Sequence, residues 1–371
     1  LKHENALPLK QQGQKIALIG PYADSQDIIG MWAIHADKRH AVTIRAAMAE
    51  VLGEEGFVTA KGCELLDDYS VLGEFGNIPA FNSSLTEKTD PAALEREALE
   101  AAAGADVIVM ALGEHMLQSG EAGARTDITL PAPQKRLLRK IRTANPDKKL
   151  VLILFNGRPL ALADVLEDCD AILEAWFPGT AGGRSVCDVL FGDCNPSGRL
   201  TMSFPYNVGQ VPLYYAQLNT GRPAKTSSHS GRFVSKYLDC PNEALFPFGY
   251  GLSYHTASYS GVTLDRDSLR AGEALHAAVT VENTGDTAGT ETVQLYIRDL
   301  VGSVARPVLE LKDWQRVPLQ PGERREVTFT VTEEMLRFYT KDMTFASEPG
   351  GFEVYVGPNS RDLQKAAFTL I

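Results

Sequence analysis

Along the first two hundred residues, short apolar runs alternate with stretches of helical periodicity. The runs at 15–20, 57–61, 107–112, 150–155 and 171–177 are candidate strands, and 107–112 is unbroken in apolar residues, the pattern of a strand covered on both faces. Between them, 41–52, 91–103, 133–143 and 180–191 carry helical spacing, and Thr89-Asp90-Pro91 offers a capping residue followed by a proline start. Strand and helix in alternation predict an α/β sandwich over 1–206, a mainly parallel sheet flanked by helices. After Phe204-Pro205 the periodicity dissolves. The span 207–255, rich in Gly, Pro, Ser and Tyr and including the polar stretch 220–231, reads as an irregular connector packed over a surface. Within it, Tyr214, Tyr215 and Arg222 are candidates for ligand contact, with packing the plainer role. Alternating strands at 277–282, 292–298, 325–331 and 351–356 then take over, divided by Asn283-Thr-Gly-Asp and Leu319-Gln-Pro-Gly-Glu turns. Roughly seven strands in about 110 residues predict an all-β, immunoglobulin-like sandwich over 256–371.

The run at 107–112 leads directly into a loop that holds three acids and an arginine. Ligands of open α/β sheets collect at the carboxyl ends of such strands, so Glu114, Glu121 and Asp127 are candidates for proton transfer. Arg125 either pairs with one of them or holds a substrate hydroxyl. An exposed acidic loop without chemistry is the bland alternative.

Composition narrows the partner. The chain has 371 residues, 44% of them hydrophobic, enough for two or three domains. Lys and Arg number 36 against 47 for Asp and Glu, and the net charge of -11 disfavours nucleic acid and anionic membrane surfaces. A neutral ligand such as a sugar fits. No apolar run of about 18 residues occurs to cross a membrane. The opening Leu1-Lys-His-Glu-Asn is neither a basic leader nor an apolar core, so the chain reads as part of something longer. The five cysteines have no zinc spacing and read as small buried hydrophobes; His115, beside the acidic loop, reads as structural. There is no GxGxxG, GxxxxGK[ST] or GxSxG, and neither a cofactor nor a metal is expected.

The phrase Ser119-Gly-Glu-Ala-Gly-Ala-Arg-Thr-Asp-Ile-Thr-Leu-Pro131 resembles the acid/base loop of glycoside hydrolase family 3, and of its periplasmic β-glucosidases in particular. Five further segments resemble that family's landmarks in the family's order: Asn156-Gly-Arg-Pro-Leu, Trp176-Phe-Pro-Gly-Thr-Ala-Gly-Gly, Gly192-Asp-Cys-Asn-Pro-Ser-Gly-Arg-Leu, Leu218-Asn-Thr-Gly-Arg-Pro and Phe246-Pro-Phe-Gly-Tyr-Gly-Leu-Ser-Tyr. The resemblance covers essentially the whole chain but not the whole of the family's enzyme. It implies that the second domain is fibronectin type III-like and that Glu121 is the general acid/base of a retaining, exo-acting β-glucosidase. A glutamate in a glycine-flanked loop could swing over a sugar-filled pocket, where lost hydration raises its pKa. By resemblance, Pro21-Tyr-Ala-Asp-Ser-Gln-Asp-Ile-Ile-Gly-Met-Trp32 brings Trp32 near the sugar as a stacking platform, and Arg125 is the second substrate-binding candidate. Trp176 and Trp314 are left to core packing or contact between domains.

The family's nucleophile is an aspartate on an N-terminal (β/α)8 barrel of about 250 residues, for which this chain has no room. The expected partners are therefore that barrel, in cis or in trans, and a β-glucoside or oligosaccharide; a homodimer is also envisaged. Asp24 and Asp127 are minor candidates to replace the missing carboxylate. The resemblance points to a periplasmic or extracellular location. The alternatives are β-xylosidase specificity and a noncatalytic carbohydrate-binding or assembly module that closes a partner's pocket.

Overall fold

The computed structural model describes residues 1–33, 35–78, 89–224 and 231–371, and they divide into two compact units. The first comprises Leu1–Cys194 and Asn207–Gly209, the second Asn195–Tyr206 and Gln210–Ile371.

The first unit is built on a six-stranded sheet formed by β1 (Lys2–His3), β2 (Ile16–Ile19), β3 (Phe57–Ala60), β4 (Val107–Gly113), β5 (Lys149–Phe155) and β6 (Ala171–Glu174). Their order is β1-β6-β5-β4-β2-β3, and every pairing is parallel except the edge pair of β1 with β6. The expected mainly parallel sheet is therefore present, extended by an antiparallel strand whose two residues are too few to show any periodicity. All seven residues of β4 are buried, which explains the unbroken apolar run.

Helices α1 (Ile44–Leu52), α2 (Pro91–Ala103), α3 (Ala132–Ala144) and α4 (Gly182–Phe191) cover the sheet. Ile44 and Met48 of α1 and Val186 and Leu190 of α4 share a core with Leu18, Val109 and Ile153. Ala98 of α2 and Leu137 of α3 close on Gly62 beside Ile19, a strand neighbour of Leu18 whose side chain points to the opposite face. Caps fix the boundaries. Thr43 accepts from the Ala46 N–H at 3.1 Å, so α1 begins later than its apolar pattern, while Asp90 caps α2 with Pro91 in the first turn as expected.

In the second unit, two main sheets form the sandwich. One contains β7 (Ala257–Tyr259), β8 (Thr263–Leu264), β10 (Ala274–Asn283) and β13 (Arg324–Thr332). The other contains β9 (Ser268–Leu269), β11 (Gly289–Asp299), β12 (Glu310–Leu319), β16 (Gly350–Gly357) and β17 (Gln364–Leu370), and β14 (Phe338–Tyr339) pairs separately with β15 (Phe345–Ala346). Alternate residues such as Val279, Val281, Leu295, Phe329 and Val354 meet in one core. The four strands expected from alternation lie within β10, β11, β13 and β16. Edge strand β12 escaped because polar residues fill much of it.

The units part after Cys194, whereas the sequence suggested a boundary at 206. The cause is backbone pairing: Leu200 donates to Tyr250 O at 2.8 Å and Phe204 to Phe246 O at 2.8 Å, so this segment joins the second unit. Tyr215 is packed, stacking on Phe248 with centroids 4.2 Å apart, while Tyr214 is exposed. The polar stretch 220–231 is described only in part, since 225–230 lie outside the described residues.

Candidate active site

Four chain segments leave the carboxyl ends of β2, β4, β5 and β6 and build one polar region in the first unit. At its base, β4 and β5 approach closely. A β-carbon on Gly113 would lie 1.8 Å from Phe155 O, so only glycine fits, and the Glu114 N–H continues the pairing to Phe155 O at 2.8 Å. The Gln134 amide ties α3 to this point, donating to Gly113 O at 2.8 Å and accepting from Gly113 N at 2.8 Å.

Glu114 is wholly buried. Its Oε1 lies 2.8 Å from Arg125 Nη1 and 3.0 Å from Arg158 Nε, and its Oε2 accepts from the Gly157 N–H at 3.2 Å. Burial pushes its pKa above the ordinary glutamate value, while the Arg158 charge, the Gly157 N–H and Arg125 oppose that rise. Of the two roles read for Arg125, the geometry realises the pairing with an acid: its guanidinium turns inward to Glu114 and is not spread across the surface.

Glu121 presents the opposite situation. It is exposed and, among the described residues, its carboxylate has no hydrogen-bond or ion-pair partner. It occupies the apex of a tight turn closed by Gly123 N–H to Gly120 O at 3.1 Å. Gly120 has φ 87° and Ala122 φ 58°, both left-handed, and the latter is a strained setting for alanine. A β-carbon on Gly123 would come within 2.9 Å of the Ser119 backbone, so the neck of the turn is shut. The glycines that flank Glu121 are thus demanded by left-handed backbone and close packing. A β-carbon on Gly120 would also lie 2.8 Å from Trp32 Nε1, which sets the indole, 54% exposed, beside the turn.

The remaining candidates are occupied. Asp127 Oδ1 accepts from Thr129 N at 2.8 Å and Thr129 Oγ1 at 2.7 Å. Burial acts to raise its pKa, but these bonds and the charges of Lys135 and Arg125 hold it below the usual carboxylate value. Asp24 accepts from Thr43 Oγ1 at 2.7 Å, bracing the start of α1. His115 is structural, as read: its Nδ1 accepts from the Leu117 N–H at 3.2 Å and caps a short 3-10 turn. Trp176, half-buried with φ 51°, turns the chain and ends β6 earlier than its apolar run suggested, and Trp314 is exposed on β12 and outside the core.

Two residues of this region had no role assigned from sequence. Glu174 ends β6, and burial drives its carboxyl up to about 8 against the Trp176 N–H it accepts at 3.2 Å. The signal was available, since an acid interrupts the apolar run 171–177 just as Glu114 follows the run that forms β4. Arg158 stood within a quoted motif without a function; its Nη2 donates to the carbonyls of Gln118 and Gly123, on either side of Glu121.

Comparison with known proteins agrees with this picture. The glycosyl hydrolase family 3 C-terminal domain matches residues 1–254 and a fibronectin type III-like domain residues 291–360. A periplasmic beta-glucosidase of Salmonella typhimurium is 41% identical over 98% of this chain and 47% of its own length. A beta-xylosidase of Formosa agariphila is 39% identical over 74% of the chain and 37% of its own length. The crystal structure of beta-glucosidase from Listeria innocua in complex with isofagomine superposes with a TM-score of 0.87, at 38% identity, over 100% of this chain and 48% of that one. The chain thus spans about half the length of such relatives. It belongs to glycosyl hydrolase family 3, of which it carries the C-terminal domain and a following fibronectin type III-like domain.

Proposed function

We propose that this chain is the C-terminal part of a retaining, exo-acting β-glucosidase that hydrolyses terminal non-reducing β-D-glucosyl residues, with Glu121 as its general acid/base. One observation carries the assignment. Of the three acids in the loop after β4, Glu114 and Asp127 are committed to internal partners, and Glu121 is held exposed at the apex of the turn with no partner among the described residues.

In this reading the nucleophile is an aspartate on a (β/α)8 barrel domain, supplied in cis or in trans, about 5 to 5.5 Å from Glu121 in the assembled site. Glu121 gives its proton to the glycosidic oxygen as the aspartate attacks the anomeric carbon, and then takes a proton from the water that releases the sugar. Enclosure by the barrel and the sugar would exclude bulk water from the bond being cleaved. The exposed face of Trp32 stacks on the pyranose ring. Arg125 and Arg158 pair with Glu114 underneath, so that its buried carboxylate is not left uncompensated below the turn. A periplasmic location agrees with the name of the Salmonella relative. Xylosides form the second substrate class to test, because a relative named beta-xylosidase matches most of the chain.

The test uses the enzyme assembled with its barrel. Glu121→Ala should lower turnover of an aryl β-glucoside by about 10²- to 10⁴-fold. Azide should restore part of that rate and yield a glucosyl azide of retained configuration. A Glu121→Ala enzyme that turns over normally, or loses only KM, contradicts the assignment.

A further inference from the structure

We infer that Arg158 is the positioning residue of the proton-donor turn, a clamp that fixes the place of Glu121 without touching substrate. The inference rests on the acid/base reading of Glu121. Arg158 follows β5, whereas Glu121 belongs to the loop after β4, so the arginine ties one strand end to the next. Its Nη2 donates to Gln118 O and to Gly123 O. These two carbonyls stand three residues before and two residues after Glu121. The guanidinium thus bridges both legs of the turn at its neck.

Three further features set the clamp. Glu114 Oε1 lies 3.0 Å from Arg158 Nε, an ion pair that anchors the guanidinium charge from below. The intervening Gly157 lets the neck seat directly on β5: an added β-carbon there would stand 2.0 Å from Ser119 Oγ. Gln118 is buried, and its Oε1 accepts from the His115 N–H at 3.0 Å, fixing the first leg independently. A turn pinned at both feet, with left-handed residues on either side of its apex, leaves the Glu121 backbone little freedom. Proton donation requires that economy, since a donor displaced by about 1 Å can lose about 10²-fold in rate. Lysine cannot replace the fork, because an ammonium is a point charge without the planar geometry that serves Glu114 and two carbonyls together.

The experiment is a double-mutant cycle in the barrel-assembled enzyme, with Glu121→Ala, Arg158→Met, and the two combined. Each is assayed on an alkyl β-glucoside, which needs protonation to leave, and on 2,4-dinitrophenyl β-glucoside, which does not. Arg158→Met should lower kcat on the alkyl glucoside by about 10²-fold with KM nearly unchanged, and should affect glycosylation by the activated substrate little. The combined variant should be no slower than Glu121→Ala alone, because the clamp acts only through that glutamate. Arg158→Lys should keep most of the loss, because one ammonium cannot reproduce the planar fork. If Arg158→Met does not fold, Arg158→Lys carries the same comparison, and a leaving-group pattern like wild type refutes the clamp. Equal losses on both substrates, or losses that multiply with those of Glu121→Ala, also overturn it. The acid/base reading fails separately, if Glu121→Ala itself shows no leaving-group dependence.

Discussion

Each unit has a buried glutamate paired with arginine, Glu291 in the sandwich and Glu114 in the α/β unit, and these two clusters are put to different use. In the sandwich, Glu291 is 4% exposed and meets Arg199 at 3.2 Å, His255 Nε2 at 3.1 Å and Tyr259 OH at 2.9 Å. Burial acts to raise its pKa, but the His255 hydrogen bond, the Arg199 charge and the Tyr259 hydroxyl hold it below the ordinary glutamate value. In the α/β unit, Glu114 has two guanidiniums and one N–H, and burial prevails in the upward direction. The first cluster joins β7 and the 195–206 segment to β11 and ends there. The second continues through Arg158 into a backbone turn that carries an exposed acid. A buried ion pair is weak evidence of function by itself. What marks the second cluster is its link to a strained, exposed turn at the carboxyl edge of a parallel sheet.

The comparison breaks most sharply at the two buried acids. Glu114→Ala and Glu291→Ala should each cost about 3–5 kcal/mol, because each leaves desolvated cations uncompensated. Denaturant titration of each variant measures this. Only Glu114→Ala should also change the dependence of rate on leaving group; a comparable change in Glu291→Ala would erase the distinction drawn here. Acidification probes Glu291 as well. Its folded pKa is depressed, so its contribution is present above the ordinary glutamate value and fades as pH falls through the lower folded one.

A smaller effect is expected at the turn. Gly120→Ala places a side chain at φ 87° and against Trp32, and should cost about 2 kcal/mol by differential scanning calorimetry. It should also lower turnover, since the apex must shift. Full activity in a stable Gly120→Ala enzyme would show that the turn tolerates displacement.

The smallest effect concerns Glu174. Its folded pKa, about 8, lies above the reference value of 4.5, so the stability tied to its neutral form is complete below 4.5 and is lost as pH rises through 8. Glu174→Gln should therefore match wild type near pH 4. By pH 8 it should exceed wild type by about 1–2 kcal/mol once partial exposure is discounted. A gap independent of pH would place the origin of the effect elsewhere.

The central strands and the helices of the α/β unit were legible because continuous burial and helical spacing write themselves into composition, as in β4 and α3. Their ends were less so. Trp176 ends β6 through a backbone angle, and Thr43 delays α1 through a hydrogen bond; neither event leaves a periodic trace. Glu121 and Trp32 were marked through motifs, and the structure brings their neighbourhoods together at Gly120. The inward turn of Arg125 and the clamp by Arg158 depend on which strand ends become neighbours. The order β5-β4-β2 settles that, and no single segment reveals it.

The central claim, that Glu121 delivers the proton, is tested most directly by plotting log kcat/KM against leaving-group pKa for a series of aryl β-glucosides with the barrel-assembled enzyme. Wild type should give a shallow line and Glu121→Ala a steep negative one, with the two converging at the most acidic phenols. Parallel lines of equal slope would contradict the account.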